Sequence, residues 1–251
     1  MKDTVSSKSF FALEESERER LICELGGRPF HAKIIAREAC ERGVLDYAEM
    51  SSLSKKLREQ LPERMPLLTG VEVASKETRD GTTKLLVRFP DKATVETVHM
   101  PSRRAGRGAT LCVSTQVGCP VGCPFCASGK AGLVRNLEAH EIFEQFLRGR
   151  AIGELGRSVV MGIGEPLLNF EALRQAIELV RQHIGIGARK ITVSTVGYPQ
   201  RLKRIAREHP PFELAISLHS PDDQQRARLV PAMANVTVEE ILLAGTKRAR
   251  C

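Results

Sequence analysis

The chain has 251 residues, with 38 Lys and Arg against 30 Asp and Glu, a formal net charge of +8 and 42% hydrophobic residues. That apolar share supports a packed core and excludes global disorder, and no apolar run approaches the roughly 18 residues of a membrane span. Trp is absent and Tyr occurs twice, which argues against a stacking platform for single strands, while the positive charge is compatible with a polyanion such as RNA without requiring one.

The chain opens with Met1-Lys2-Asp3-Thr4, which has no apolar segment of the secretory type, so it is expected to be soluble, without a membrane partner, and cytoplasmic. Apolar residues at helical spacing predict a helix over 13–25, stopped by Gly26-Gly27. Pro29 opens a second helix to about Cys40, ended by Gly43, and a third spans 50–61, closed by Pro62. Cys23 and Cys40 fall inside these helices and read as core residues.

The period then changes. Residues 71–78, 84–89 and 95–100 alternate like strands, with Asp80-Gly81 as a hairpin turn. The basic run Ser102-Arg103-Arg104-Ala105-Gly106-Arg107 reads as an exposed turn, and 109–115 as a further strand. Two more basic runs, Arg201-Leu202-Lys203-Arg204 and Lys247-Arg248-Ala249-Arg250, follow later, and for all three a solvated face is the plain reading. From residue 138 helices and strands alternate: helix 138–147, strand 158–161, helix 170–183, strand 190–195, helix 199–207, strand 213–218, then helices 223–228 and from Val238. Repeated βα units predict an α/β fold with a parallel sheet and helices outside it, and active groups on such sheets gather at the carboxyl ends of the strands. Four such strands amount to a partial (β/α) barrel of about four units. The expected organisation is a helical accessory domain over 1–65, a β-rich connector over 66–108 and the partial barrel over 109–251.

Chemistry concentrates in Cys119-Pro120-Val121-Gly122-Cys123-Pro124-Phe125-Cys126. Four of the seven cysteines fall between Cys112 and Cys126, which scattered packing cysteines would not do. Without an export signal, thiols so clustered favour metal ligation over structural disulfides. Three thiolates spaced C-x3-C-x2-C can hold three corners of an iron–sulfur cube and leave the fourth iron open to a small molecule. A four-thiolate zinc site completed by Cys112 is the alternative, although zinc sites usually pair two separated C-x2-C units. Gly162-Ile163-Gly164-Glu165-Pro166 directly follows a strand; its glycines let a ligand approach the backbone, and Glu165 could accept a bond from an ammonium group. Ser194 and Ser217 end successive strands and could bond ribose hydroxyls or a carboxylate, and His219 is either a general base or a structural group.

These motifs in this order resemble the radical S-adenosylmethionine (SAM) superfamily. The stretches Ala109-Thr110-Leu111-Cys112-Val113-Ser114-Thr115-Gln116-Val117-Gly118-Cys119, Met161-Gly162-Ile163-Gly164-Glu165-Pro166-Leu167-Leu168-Asn169 and Ala215-Ile216-Ser217-Leu218-His219-Ser220-Pro221 closely resemble its RlmN/Cfr family. Those enzymes methylate an adenosine of 23S ribosomal RNA, and RlmN also acts on certain tRNAs. The resemblance implies a [4Fe–4S] cluster on Cys119, Cys123 and Cys126. It implies SAM chelated to the open iron, its amino end at Gly164 and Glu165, and the rest of its pocket lined by Ser194, Ser217, Leu218 and His219. It makes Glu96 the proton acceptor and Cys112 the cysteine that releases the methylated base by forming a disulfide. The implied mechanism methylates a cysteine with one SAM, makes a carbon radical of that methyl group with a second, and adds it to the base. The implied target atom is carbon 2, with carbon 8 as the alternative. A flavodoxin or ferredoxin is the implied electron donor and a monomer the implied state.

The chain departs from the family at its end. The family's methyl-accepting cysteine and a late Asn of the SAM pocket lie beyond the last strand seen here, and Ala249-Arg250-Cys251 does not match that motif. The expectation is a C-terminally truncated chain that is inactive alone. The rival expectation is a non-catalytic iron–sulfur or zinc RNA-binding module.

Overall fold

The computed structural model describes residues 8–246, and Cys251 and the basic run 247–250 lie outside them. Helix α1, Glu15–Glu24, starts in a reciprocal cap between Glu14 and Glu17. Helix α2, Phe30–Arg42, follows Pro29 and ends at Gly43. The third helix differs from the sequence expectation. Tyr47–Glu49 form a 3-10 turn, and α3, Lys55–Arg64, begins only where the Ser54 hydroxyl accepts from the Leu57 amide at 3.3 Å. Pro62 lies inside α3 rather than closing it, and the helix runs two residues further. Cys40 is buried, as expected, but Cys23 is exposed: α1 buries its neighbour Ile22, and one residue further turns the side chain away from the core.

Strands β1 (Val71–Glu77), β2 (Thr83–Arg88) and β3 (Thr94–Met100) form an antiparallel meander. Strand β4, Ala109–Cys112, pairs antiparallel with β3 and is shorter than expected, because the chain turns away after Val113, whose amide still donates to the Val159 carbonyl at 3.1 Å. A two-stranded ribbon not foreseen from the sequence follows, β5 (Gln116–Gly118) with β6 (Leu133–Asn136), and it brackets the cysteine loop.

The alternating half is as expected. It comprises α4 (Ala139–Ile152), β7 (Leu155–Val160), α5 (Phe170–Leu179) running on into a π-helical turn (Val180–Ile184), β8 (Ile191–Thr195), α6 (Pro199–Glu208), β9 (Glu213–Ile216), α7 (Asp223–Leu229) and α8 (Val238–Thr246). β4, β7, β8 and β9 are parallel, so one seven-stranded sheet runs β1-β2-β3-β4-β7-β8-β9 and its parallel part is an open, partial barrel.

One apolar core joins the N-terminal helices to the sheet through α4. Phe11 packs edge-on to Phe143 at 4.8 Å between ring centroids. Glu144 accepts from the amides of Thr69 (2.6 Å) and Gly70 (3.1 Å) and pairs with Arg148 at 2.7 Å, while Arg148 donates to the Gly70 carbonyl at 2.6 Å. This buried clasp satisfies both charges and fixes where the helical segment ends and the sheet begins. No described helix is long and apolar enough to cross a membrane.

Candidate cofactor and active site

The chain leaving β4 is held by side chains from four directions. Val113, Ser114, Thr115, Gln116 and Val117 are all buried. Gln145 on α4 clamps Ser114, accepting from its amide at 2.8 Å and donating to its carbonyl at 2.9 Å. The Ser114 hydroxyl donates to the Glu96 carbonyl at 2.6 Å and accepts from the Ile163 amide at 3.0 Å. Gln116 accepts from the Glu165 amide at 2.8 Å and donates to Asn136 on β6 at 2.8 Å. Asn169 donates to the carbonyls of Thr115 (2.8 Å) and Leu137 (2.7 Å). Apart from the Thr115 hydroxyl, which is buried without a partner, these buried polar groups are satisfied, and together they make a stiff platform.

The cysteine loop rises from that platform. At its base Gly118 has φ +73°, and a Cβ there would lie 2.0 Å from the Gly132 carbonyl oxygen, so only glycine fits. Most of the loop's backbone bonds are local, Cys119 to Gly132 (3.0 Å), Cys126 to Cys123 (3.0 Å) and Gly132 to Gly129 (3.1 Å), and one longer tie is the Ala232 amide donating to the carbonyl of Val121, which packs with Val196, Val230 and Met233. Cys119, Cys123 and Cys126 are half-buried free thiols, and no disulfide joins the described cysteines. Burial pushes the Cys119 and Cys123 thiols up, and neighbouring loop cysteines and Glu165 add to this. Thiols crowded with a carboxylate resist ionising until a cation joins them, which is the donor chemistry of a metal site.

The kind of metal site is narrowed by shape. Among the described residues, no three His, Cys, Asp or Glu side chains converge on one ion. Cys112 interacts with the Met161 amide rather than with the loop thiols, so the four-thiolate zinc arrangement is not assembled. A cubane makes a different demand, one thiolate to each of three irons, spread around open space. Gly122, between Cys119 and Cys123, faces open space, since a Cβ there would meet nothing within 4 Å.

The carboxyl ends of β7, β8 and β9 border the loop. Gly164, with φ +110°, packs so closely that a Cβ would lie 2.7 Å from the Gln116 Cβ. Glu165 is 3% exposed. Its Oε1 accepts from the Leu167 amide (3.1 Å) and the Thr195 hydroxyl (2.5 Å), and its Oε2 from the Val196 amide (3.0 Å). Glu165 thus ties the ends of β7 and β8 together, an inward role that the motif does not reveal, and burial still raises its pKa against those bonds. Ser194 and Ser217 share a hydrogen bond at 2.7 Å. Leu218 is half-buried, and His219 has φ +65°, a strained conformation for a residue with a Cβ. The His219 ring lies 4.9 Å from that of Phe125, which is 56% exposed at the loop tip. Burial and the charge of Arg226 lower the His219 pKa.

Glu96 and Cys112 stand on the opposite side of the loop's root. Val98 pairs with Cys112 and Cys112 with Val159, so Glu96, two residues along β3, shares their face of the sheet. Glu96 pairs with Lys84 on β2 at 2.9 Å. Burial raises the Cys112 pKa, so the thiol is held neutral.

Every site residue singled out from the sequence thus lies at the carboxyl ends of the parallel strands or on the adjoining face of β3 and β4. Sequence reasoning gave no role to Gln145, Asn169, Lys84 and Arg226. The first two are polar residues beside apolar ones, a signal for buried bonding that was available; Lys84 and Arg226 look like any surface cation in one dimension.

Comparison with known proteins gives consistent matches. The family profile described as "Radical SAM superfamily" matches residues 113–247, and that described as "Ribosomal RNA large subunit methyltransferase N-terminal domain" matches 10–67. A Rhodopirellula baltica protein named "Probable dual-specificity RNA methyltransferase RlmN" is 40% identical over 230 residues, covering 89% of this chain and 61% of that protein. A protein of the same name from Synechococcus sp. (strain RCC307) is 37% identical, covering 94% of this chain and 69% of that protein. A crystal structure of a radical SAM methyltransferase from Sphaerobacter thermophilus matches with a TM-score of 0.85 and 36% identity, covering 97% of this chain and 74% of that one. The chain spans 61% to 66% of the length of the first curated relatives it matches.

Proposed function

The chain belongs to the RlmN family of the radical SAM superfamily, and from that premise we propose that it carries the radical-generating site of an RNA methyltransferase acting on carbon 2 of an adenosine in 23S ribosomal RNA and in certain tRNAs. The observation that carries the reading is the meeting, at one end of a parallel sheet, of three half-buried loop thiols with the Gly164-Glu165 turn and the polar ends of β8 and β9.

In this reading Cys119, Cys123 and Cys126 hold a [4Fe–4S] cluster. A bound cluster would supply one electron to SAM at its open iron. The Gly164 backbone and the remaining lone pair of Glu165 Oε2 take the SAM ammonium, and Ser194 and Ser217 take its ribose or carboxylate oxygens. Leu218 and His219 wall the pocket, with Phe125 shielding it from water. Glu96 accepts a proton from the base once it exchanges its bond to Lys84, and Cys112, held as a neutral thiol until then, resolves the RNA adduct. Residues 1–65 serve as the accessory RNA-binding domain, 66–108 as the connector and 109–251 as the radical domain of a cytoplasmic monomer reduced by a flavodoxin or ferredoxin.

The remaining described cysteines, Cys23 and Cys40, sit in the N-terminal helices, so no described thiol is left at this site to carry a methyl group. The reading therefore expects this chain to cleave SAM without methylating RNA. Chromatography of the anaerobically reconstituted chain with SAM and dithionite tests it. Release of 5′-deoxyadenosine and methionine, abolished in Cys123→Ser, supports the reading. An intact cluster with no SAM cleavage would overturn it.

A further inference from the structure

A second charged site lies at the other end of the sheet. A cleft of about 740 Å³ opens at the amino ends of β4, β7 and β8. Arg103, Arg104 and Arg107 of the β3–β4 turn, Arg157 on β7 and Lys190 before β8 line it, against one carboxylate, Glu154. All five cations are exposed, and none has an ion-pair partner among the described residues. Unpaired surface cations occur elsewhere too, but these five converge on one cleft that holds a single carboxylate. Five uncompensated cations converging from three separate elements repel one another, an arrangement that an anion relieves.

We propose that this cleft binds the phosphate backbone of RNA, outside the cysteine-bearing site. The cations are exposed and spread along an open groove rather than caged around one point, which suits successive phosphates better than a single free one. A concave cleft also suits a strand better than a flat lipid surface. The choice of RNA over other polyanions rests on the function proposed above. Since the strands separate the two ends, one RNA reaching both must cross the edge of the sheet, so the cleft adds affinity without touching the target base.

Binding of a fluorescent 20-nucleotide single-stranded RNA to the full chain, followed by anisotropy across a KCl series, tests the site. Two variants are compared, Arg103→Gln/Arg104→Gln/Arg107→Gln and Arg157→Gln/Lys190→Gln. Each should bind at least about tenfold more weakly at low salt. The slope of log K against log salt should fall by about 0.7 per lost contact, or roughly 2 for the triple variant. SAM cleavage should be unchanged. Wild-type affinity and slope in both variants would overturn the cleft while leaving the proposed function standing. No RNA binding by the wild type would overturn both. Competition by millimolar inorganic phosphate with no salt slope would show a single-phosphate site and overturn the backbone assignment.

A separate feature lies behind the cysteine loop. Arg226 on α7 is 1% exposed, and its Nη2 donates to the Val196 carbonyl at 2.6 Å. Its Nε and Nη1 are buried without a partner. Asp223 and, after it, Cys123 are the acidic groups that interact with its charge, and Val196, whose carbonyl it bonds, packs in one cluster with Val121, Cys119 and Cys123. A buried guanidinium with two idle donors is costly unless negative charge arrives beside it. We infer that Arg226 is the counter-charge of the thiolate-bound cluster, acting through Cys123 to make its reduction easier, an inference that rests on the cluster assignment above. Potentiometric titration followed by electron paramagnetic resonance tests it on the reconstituted wild type, Arg226→Lys and Arg226→Met. The midpoint potential should become more negative in Arg226→Met and stay closer to wild type in Arg226→Lys. If Arg226→Met does not fold, Arg226→Gln, which keeps a donor for Val196, is read in its place. Equal potentials in all variants would overturn the role of Arg226 while leaving the cluster in place. A wild type that assembles no cluster would overturn the function itself.

Discussion

Residues 113–117 and the loop they carry, 119–132, adjoin in sequence and differ in how they are held. The first is wholly buried, with its main chain clamped by Gln145, Asn169 and the 163–165 turn. The second is mostly exposed or half-buried and is closed chiefly by short backbone turns, with buried Val121 as its anchor against Val196, Val230 and Met233. The protein thus builds the position of its thiols and leaves their final closure to what they bind. Changes on the loop should therefore alter ligand binding with little effect on stability, and changes in the platform should alter both.

The largest expected effect is Cys119→Ser, Cys123→Ser or Cys126→Ser. Each should abolish retention of iron after reconstitution, measured by metal analysis, while the melting curve of the apoprotein stays where it is. A large fall in melting temperature would break the comparison, since it would make the thiols part of the fold.

Next comes Gln145→Leu. It removes both bonds that clamp Ser114 and leaves a buried amide and carbonyl unpaired. The expected cost is about 2–4 kcal/mol in urea unfolding, with reduced iron retention as well. Stability within error of wild type would show that the platform is not stiff.

Gly118→Ala sits on the boundary between the two regions. Its positive φ and the 2.0 Å approach to the Gly132 oxygen force the loop to shift, at a cost of about 1–3 kcal/mol. Because the loop can yield where the platform cannot, iron retention should fall more sharply than stability.

The smallest expected effect is on pH dependence and lies outside both regions. Burial lowers the pKa of His99, which is 6% exposed with both ring nitrogens unpartnered, and burial with the Arg18 charge lowers that of His183. Their folded-state values lie below the ordinary value of 6.5, so in acid the unfolded chain binds protons that the folded chain refuses. Stability from these groups is full above that value and is lost as pH falls below it. Melting temperature should drop between pH 7 and 5, and the drop should be smaller in His99→Leu.

Much of this was legible in one dimension because the signals are local. Alternation after residue 138 marks the βα units, and the spacing of Cys119, Cys123 and Cys126 marks their chemistry. The ribbon β5–β6 was not legible, since its three- and four-residue strands are too short for a period to show. Pro62 read as a stop, yet α3 runs on to Arg64. The inward bonds of Glu165 were hidden because Thr195 and Val196 reach it from 30 residues away. Lys84 was hidden because its pairing with Glu96 depends on the register of β2 against β3.

Whether the loop thiols hold an iron–sulfur cluster with an open iron is decided by iron, sulfide and zinc analysis of the chain after anaerobic reconstitution. About four irons and about four sulfides per chain are expected, all lost in Cys123→Ser. One zinc per chain with no sulfide would rule the cluster out.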